Sequence, residues 1–170
     1  MIEYITNLED FWSEDLKSYS FPNLVNMKQR EYFHNNYARE SSSVLQGFDS
    51  ELPDCYQTFF KMLSISTGSI SWICIEPSQV IPVHTDKFFK LRNQHNVDIE
   101  DCVRYLIFLE DWVLGHFVEF EEFVIPRWQK GDVWRFDHMS PHCAGNASQT
   151  NFITCQVNTI VNSSKRETNE

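Results

Sequence analysis

Short β-rich runs separated by turn residues dominate the second part of the chain, and this pattern constrains the fold more than any other feature. The runs are 70–76, 79–85, 103–109, 116–125, 132–137 and 151–161. Several short strands at this spacing are typical of an antiparallel sandwich or barrel. The aromatic share of 15% supplies bulky side chains for such a core and is not typical of a disordered chain.

In the first third of the chain, the apolar residues have the spacing of helices instead. Its apolar residues recur at helical intervals in Leu8, Phe11, Trp12 and Leu16, and again in Tyr56, Phe59, Phe60 and Leu63. A chain of 170 residues has room for one domain. We therefore predict a single domain over 1–161, with a mainly helical part at 1–68 whose helices pack on one face of a β core at 69–161. The polar segment 162–170 is predicted to be a disordered tail.

Charge and composition exclude several classes of partner. A formal net charge of −10 repels a polyanion over most of the surface, so we expect no nucleic-acid partner. The chain shows no signal peptide and no stretch of eighteen apolar residues, so we expect no membrane partner and a cytoplasmic location. The five cysteines are odd in number and form no CxxC pair, which favours reduced, mostly buried thiols. The oligomeric state stays open.

The sharpest local motif is His84-Thr85-Asp86, directly after the β run that starts at Gln79. Residues two apart on a strand share a face, so the imidazole and the carboxylate can both point into a barrel. Together with one more histidine they would form a facial triad of metal ligands that leaves further coordination positions open. The segment 87–101 that follows is predicted to be a loop or short helix over the mouth of the barrel.

The third ligand is sought in the segment from Trp128 to Asn146. There a Gly131-Asp132 turn leads into a strand, and two histidines, His138 and His142, follow the strand. Either histidine could complete the set on spacing alone.

In this order, the motifs resemble the Fe(II)/2-oxoglutarate-dependent dioxygenases, in particular the small prolyl-hydroxylase-like and aspartyl/asparaginyl-hydroxylase-like members. The resemblance covers roughly 70 to 160 and includes the central strand 103–109. It implies a double-stranded β-helix, that is, a cupin-like jelly roll, and the metal ligands His84, Asp86 and His142. His142 is favoured over His138 because the family pattern has a proline before and an asparagine after the distal histidine.

The sequence departs from the family at the position of the usual 2-oxoglutarate arginine, which is Phe152 here, whereas Thr154 is retained. Arg104 on the central strand is the preferred substitute cation, with Arg135 and Arg127 as weaker candidates. The cofactor-binding set that the resemblance implies is Arg104, Thr154, Asn146 and Gln156. Asn146 and Gln156 would hydrogen-bond to the co-substrate or to His142. Trp72 and Tyr105 are expected to pack in the core.

The resemblance implies an Fe(II) enzyme that uses 2-oxoglutarate and O2 to hydroxylate an unactivated C–H bond. Its substrate would be an amino acid, a residue in a protein or another small molecule. The alternative is a metal-binding cupin-type protein, namely an isomerase, a dioxygenase that needs no keto acid or a non-catalytic binder. Phe152 is the residue that keeps this alternative open.

Overall fold

The structure is a computed structural model that describes residues 1–8, 23–26, 44–49 and 56–161. Within these ranges the chain is mainly β. The strands are β1 (Ile2–Asn7), β2 (Asn23–Asn26), β3 (Val44–Asp49), β4 (Gly68–Ile75), β5 (Gln79–His84), β6 (Cys102–Phe108), β7 (His116–Phe120), β8 (Phe123–Val124), β9 (Asp132–Asp137), β10 (His142–Asn146) and β11 (Phe152–Ile160). The helices are α1 (Gln57–Met62), α2 (Phe89–His95) and a 3-10 turn (Ile99–Asp101).

The strands form two antiparallel sheets. The larger sheet has the order β1-β9-β6-β11-β4-β3-β2, and the smaller has the order β5-β10-β7-β8. From β4 onward the chain passes between the sheets repeatedly, so that neighbours within a sheet are distant in sequence. This is the strand order of a jelly roll, in which two sheets close around one interior.

The core lies between the two sheets and on the outer face of the larger one. The cluster between the sheets combines side chains of both, including Leu106 and Phe108 of β6 with Val118 of β7. Alternate residues of the same strands face the other way, and Tyr105 and Val157 join Phe60 of α1 in a second cluster. Period-two alternation on β6 therefore buries both faces of the strand. Tyr105 and Trp72 pack in this second cluster, as predicted.

Most of the strands predicted from the sequence are confirmed, whereas the prediction of a mainly helical 1–68 is wrong where the structure describes that part. Residues 2–7 form an edge strand paired with β9, and 44–49 pair with β4. The helix predicted around Phe59 is present as α1. The positions Phe11, Trp12 and Leu16 and the tail 162–170 lie outside the described residues. The packing of several helices on one face therefore stays a prediction.

The segment 87–101 contains the short helix α2, as predicted, and its Phe88 and Leu91 are buried. Of the cysteines that the structure describes, Cys74, Cys102 and Cys155 are buried and Cys143 is half-buried. In the described part of the chain, no helix is long and apolar enough to span a membrane.

Candidate metal centre

Two strands of the smaller sheet bring the predicted ligands together. His84 ends β5 and His142 begins β10, and the two residues are paired across the antiparallel ladder. Asp86 lies two residues beyond the end of β5. One ligand atom from each of the three side chains falls within 4.8 Å of the others. The structure therefore brings His84, Asp86 and His142 into one cluster at the same end of the sandwich, which we call the mouth.

Backbone carbonyls fix the orientation of both histidine rings. The Nδ1–H of His84 donates to the carbonyl of Pro82 at 2.8 Å, and the Nδ1–H of His142 donates to the carbonyl of Ser140 at 3.0 Å. Asp137 in turn accepts hydrogen bonds from the Ser140 hydroxyl at 3.0 Å and from the Met139 amide at 3.1 Å. With Nδ1 protonated, the lone pair of each imidazole is on Nε2, as a metal ligand requires.

Two further observations show that these residues fit a divalent metal ion. The Oδ2 atom of Asp86 is buried and has no hydrogen-bond partner among the described residues, although His142 Nε2 lies 3.9 Å away. A buried carboxylate oxygen without a partner is costly unless a cation joins it. Burial, and after it the neighbouring His84, lower the pKa of His142 to about 4, so the ring is neutral at pH 7. Two imidazoles and one carboxylate suit Fe(II) as well as other first-row metals.

The cluster opens onto a cavity of about 620 Å³ between the two sheets. Toward the mouth its lining includes the polar residues Ser69, Ser71, Gln156 and Asn158 as well as the three residues of the cluster. Farther in, the lining is apolar except for Thr154. Phe152, paired across the ladder with Ile75, lies at the opposite end, which we call the floor. A reactant at the cluster would thus have polar partners near the mouth and hydrophobic walls beyond it.

Arg104, the predicted substitute cation, lines the cavity, and its contacts are at the mouth. Its Nη2 lies 3.0 Å from Oδ1 of Asp86, and its Nε–H donates to Oδ1 of Asn158 at 2.8 Å. The guanidinium also lies over the ring of Phe88, 5.8 Å from its centroid. Arg104 is therefore engaged with a residue of the cluster.

Phe152 lies in an aromatic stack on the floor. Its ring centroid is 4.8 Å from that of His116, 5.2 Å from that of Trp128 and 6.3 Å from that of Phe108. Phe152 is 2% exposed, so the position of the usual arginine is filled by packed rings. Within the described residues the cavity has no cation at this end, because its lining cations are Lys87, Lys90 and Arg104.

The predicted cofactor-binding residues do not all converge. Thr154 and Gln156 both line the cavity. Thr154 pairs with Phe108, four residues from Arg104 along β6, which corresponds to about 13 Å between backbone positions. Asn146 is apart from the described lining: its amide nitrogen donates to the carbonyls of Ile75 at 2.8 Å and Thr150 at 2.7 Å. Asn146 therefore supports the turn between β10 and β11, and the hydrogen bond of His142 goes to Ser140 instead.

The alternatives from the sequence lie elsewhere. His138 does not belong to the described metal cluster, and its buried Nδ1 has no hydrogen-bond partner in the described part of the chain. Arg135 forms an ion pair with Glu3, and Arg127 stacks on Trp112 at 4.9 Å. Neither arginine is among the described residues that line the cavity.

Sequence reasoning missed Asn158, Ser69 and Ser71 as lining residues. Asn158 shares a strand face with Thr154 and Gln156, so period-two parity on β11 could have identified it. The serines alternate with Ile70 and Trp72 on β4, and the same parity places them toward the interior. Their hydroxyls were overlooked because serine is common in turns and on surfaces.

Comparison with known proteins finds solved structures of similar fold but no protein of similar sequence. No family model matches the chain, and no curated protein matches it in sequence. A prolyl-4-hydroxylase from Pseudomonas putida has a TM-score of 0.53 at 10% identity, over 71% of this chain and 72% of that one. The protein EvdMO1 has a TM-score of 0.52 at 18% identity, over 75% of this chain and 38% of that one.

A predicted oxalate decarboxylase from Thermotoga maritima covers 85% of this chain and 96% of that one, with a TM-score of 0.48 at 13% identity. At such identities a likeness concerns the fold alone. The two likenesses above a TM-score of 0.5 agree with the jelly roll that the strand order gives. The chain is thus a mainly β jelly roll with a His-Asp-His cluster that could hold a metal.

Proposed function

We propose that the protein is an Fe(II)-dependent oxygenase that couples oxidative decarboxylation of 2-oxoglutarate to hydroxylation of a C–H bond. The observation that carries the proposal is the cluster of His84, Asp86 and His142 at the mouth of a jelly-roll cavity. Two imidazoles and one carboxylate would hold the metal and leave further coordination positions for a keto acid and O2. The sequence resemblance and the fold likeness to a prolyl-4-hydroxylase support the same reaction class.

Bound at this cluster, Fe(II) would let O2 oxidise both 2-oxoglutarate, to succinate and CO2, and a substrate C–H group, to an alcohol. The residues of the chain itself would bind the metal, orient its ligands and shield the reacting groups from water. The carbonyls of Pro82 and Ser140 hold the imidazoles in the metal-binding tautomer. The apolar wall formed by Leu106, Val118 and Phe136 excludes water from the space beside the cluster.

The carboxylate groups of 2-oxoglutarate need a partner in this cavity, and Arg104 remains the proposed one. A guanidinium has five N–H donors, and the contacts with Asp86 and Asn158 account for two of them. The donors that remain can take a carboxylate near the mouth. Thr154 and Gln156 can donate hydrogen bonds farther along β11.

The packed ring of Phe152 favours a second candidate, a cupin-type metal enzyme that takes its substrate without a keto acid. With rings on three sides of Phe152, a carboxylate on the floor would be desolvated without a cation, which is unfavourable. In that case Arg104 would bind the anionic group of the substrate itself, and the substrate would be a small molecule that fits the cavity.

Anaerobic titration separates the two candidates. Protein loaded with Fe(II) under argon is mixed with 2-oxoglutarate, and the visible spectrum is followed for the weak metal-to-ligand band of the chelate. Admission of air then tests for succinate without added substrate. We expect both signals, because keto acid and metal would share one site.

Iron binding without either signal at millimolar keto acid contradicts the 2-oxoglutarate proposal and favours the second candidate. Failure of the wild-type protein to bind iron contradicts both. Leu114→Ala, at an exposed position before β7 and outside the described cavity lining, is a control variant that should retain iron binding.

A further inference from the structure

A partly buried hydrogen-bonded chain runs from the larger sheet to the His-Asp-His cluster. Asn158 on β11 pairs with Arg104 on β6 across the ladder, and its side-chain oxygen accepts the Nε–H of Arg104 at 2.8 Å. The Nη2 of Arg104 then reaches Oδ1 of Asp86 at 3.0 Å. The side chains of Arg104 and Asp86 are only 13% and 8% exposed, so water competes little for these contacts.

We propose that Arg104 is a positioning residue that holds Asp86 through Oδ1 and thereby leaves Oδ2 alone to bind the metal. Asn158 in turn fixes the plane of the guanidinium. This inference rests on the metal site of the proposed function, and it is independent of whether 2-oxoglutarate is the co-substrate.

Strand pairing does not fix the backbone at Asp86, so another group has to orient its carboxylate. Asp86 lies beyond the last residue of β5, so no strand pairing fixes its backbone. A carboxylate can rotate about its last bond and can bind a metal through one oxygen or both. In the described part of the chain Oδ1 meets Arg104, whereas Oδ2 is buried without a hydrogen-bond partner and is the oxygen nearer His142. The two oxygens are thus distinguished before any metal arrives.

The ring of Phe88 limits the movement of Arg104 from another side. Phe88 is 7% exposed, and its backbone adopts the left-handed conformation with φ of 48°, which is uncommon for a residue with a side chain. The guanidinium lies over this ring while its edge contacts Asn158 and Asp86. A planar, forked cation can make these contacts together, whereas a lysine cannot.

Electrostatics alone predicts that Arg104 weakens metal binding, whereas its proposed positioning role predicts that Arg104 strengthens it. A guanidinium beside a ligand carboxylate repels a divalent cation and draws charge from the carboxylate, so its neutralisation should tighten metal binding. Orientation predicts that loss of the chain weakens binding, by about 10–100-fold for a group that holds a ligand. The two effects differ in sign, which makes the inference testable.

The test is calorimetric titration of metal-free protein with Co(II) alone under argon, without keto acid or O2. Asn158→Ala removes the anchor of Arg104 and leaves every charge in place. We expect it to weaken Co(II) binding at least about tenfold, as second-sphere partners generally do. Asn151→Ala, at an exposed position in the turn before β11, should match the wild type.

Arg104→Lys keeps the positive charge but loses the planar guanidinium that contacts Asn158 and Asp86 together, so it should weaken Co(II) binding as Asn158→Ala does. It serves as the test if Asn158→Ala fails to fold. The Co(II) absorption spectrum should also change in both variants, because the carboxylate can then bind through either oxygen. Wild-type affinity and spectrum in both variants would overturn the inference, as would tighter binding by Arg104→Met. Absence of Co(II) binding by the wild type would overturn the metal site as well.

Discussion

At the scale of single residues, Phe152 is where this chain departs most from the enzymes that it resembles. We expect Phe152→Arg to destabilise the fold by about 3 kcal/mol or more, because the guanidinium would be buried among rings without a partner. Added 2-oxoglutarate should restore part of the loss by supplying a carboxylate. Urea unfolding with and without the keto acid measures both effects.

Phe152→Leu is the matched control, since it removes ring contacts without adding charge. We expect it to lose about 1–2 kcal/mol and to gain less stability from 2-oxoglutarate than Phe152→Arg does. An equal response in the two variants would show that the keto acid does not reach the floor of the cavity.

The residues of the His-Asp-His cluster could be predicted from the sequence, whereas the partner of Arg104 could not. Strand parity and the resemblance were enough to select His84, Asp86 and His142. The contact between Arg104 and Asp86 depends on how the segment after β5 folds back over β6, and no local pattern encodes that path. The partners of Asn146, which are the carbonyls of Ile75 and Thr150, could not be predicted for a similar reason, because the turn geometry sets them.

At the scale of elements, His116 joins β7 to the turn between β10 and β11. Its Nε2 lies 2.9 Å from the Ser148 hydroxyl, and its ring stacks on Phe152. Burial is the main reason that the pKa of His116 is lowered from 6.5, so the folded protein resists protonation of this ring. The unfolded chain binds the proton more readily. Stability should therefore fall as the pH drops below about 6.5 toward the lower folded value.

His116→Gln tests this pH dependence. The variant lacks the titrating ring, so its free energy of unfolding should change less between pH 7 and pH 5 than that of the wild type. Urea unfolding at the two pH values gives the comparison. An equal loss in both proteins would assign the acid sensitivity to other groups.

The strands of the core could be predicted from the sequence because alternation and turn residues mark them, as in 103–109 and 132–137. Strand β10 was missed because His142-Cys143-Ala144-Gly145-Asn146 has little strand preference of its own. Pairing with β5 on one side and β7 on the other forms it. Gly145 is suited to this place, since a Cβ there would lie 2.4 Å from the Phe117 ring. Strand β1 likewise depends on its distant partner β9.

At the scale of the whole molecule, a bound metal should stabilise the fold, because the unfolded chain has no such cluster. At a Co(II) concentration of about 100 times Kd, linkage gives about 2.7 kcal/mol. For a domain of this size that corresponds to a rise in Tm of about 5–10 °C. Thermal unfolding with excess Co(II) or with a chelator measures the shift.

His142→Ala should abolish the Co(II)-dependent shift in Tm, whereas His138→Ala should retain it, because His138 is outside the metal cluster. The two histidines lie four residues apart, which makes them a close pair for comparison. A lost shift in His138→Ala and a retained one in His142→Ala would exchange their roles.

The contact between Arg104 and Asp86 also joins the two sheets at the open end of the sandwich, since Arg104 belongs to β6 and Asp86 follows β5. Small movements that part the sheets there would pull a ligand away from its place, and a metal that holds the ligand would oppose them. Separation of the two sheets and metal binding at the proposed site would then be coupled. If the cluster holds a metal as proposed, a core substitution far from the mouth should change metal affinity by altering how closely the sheets approach.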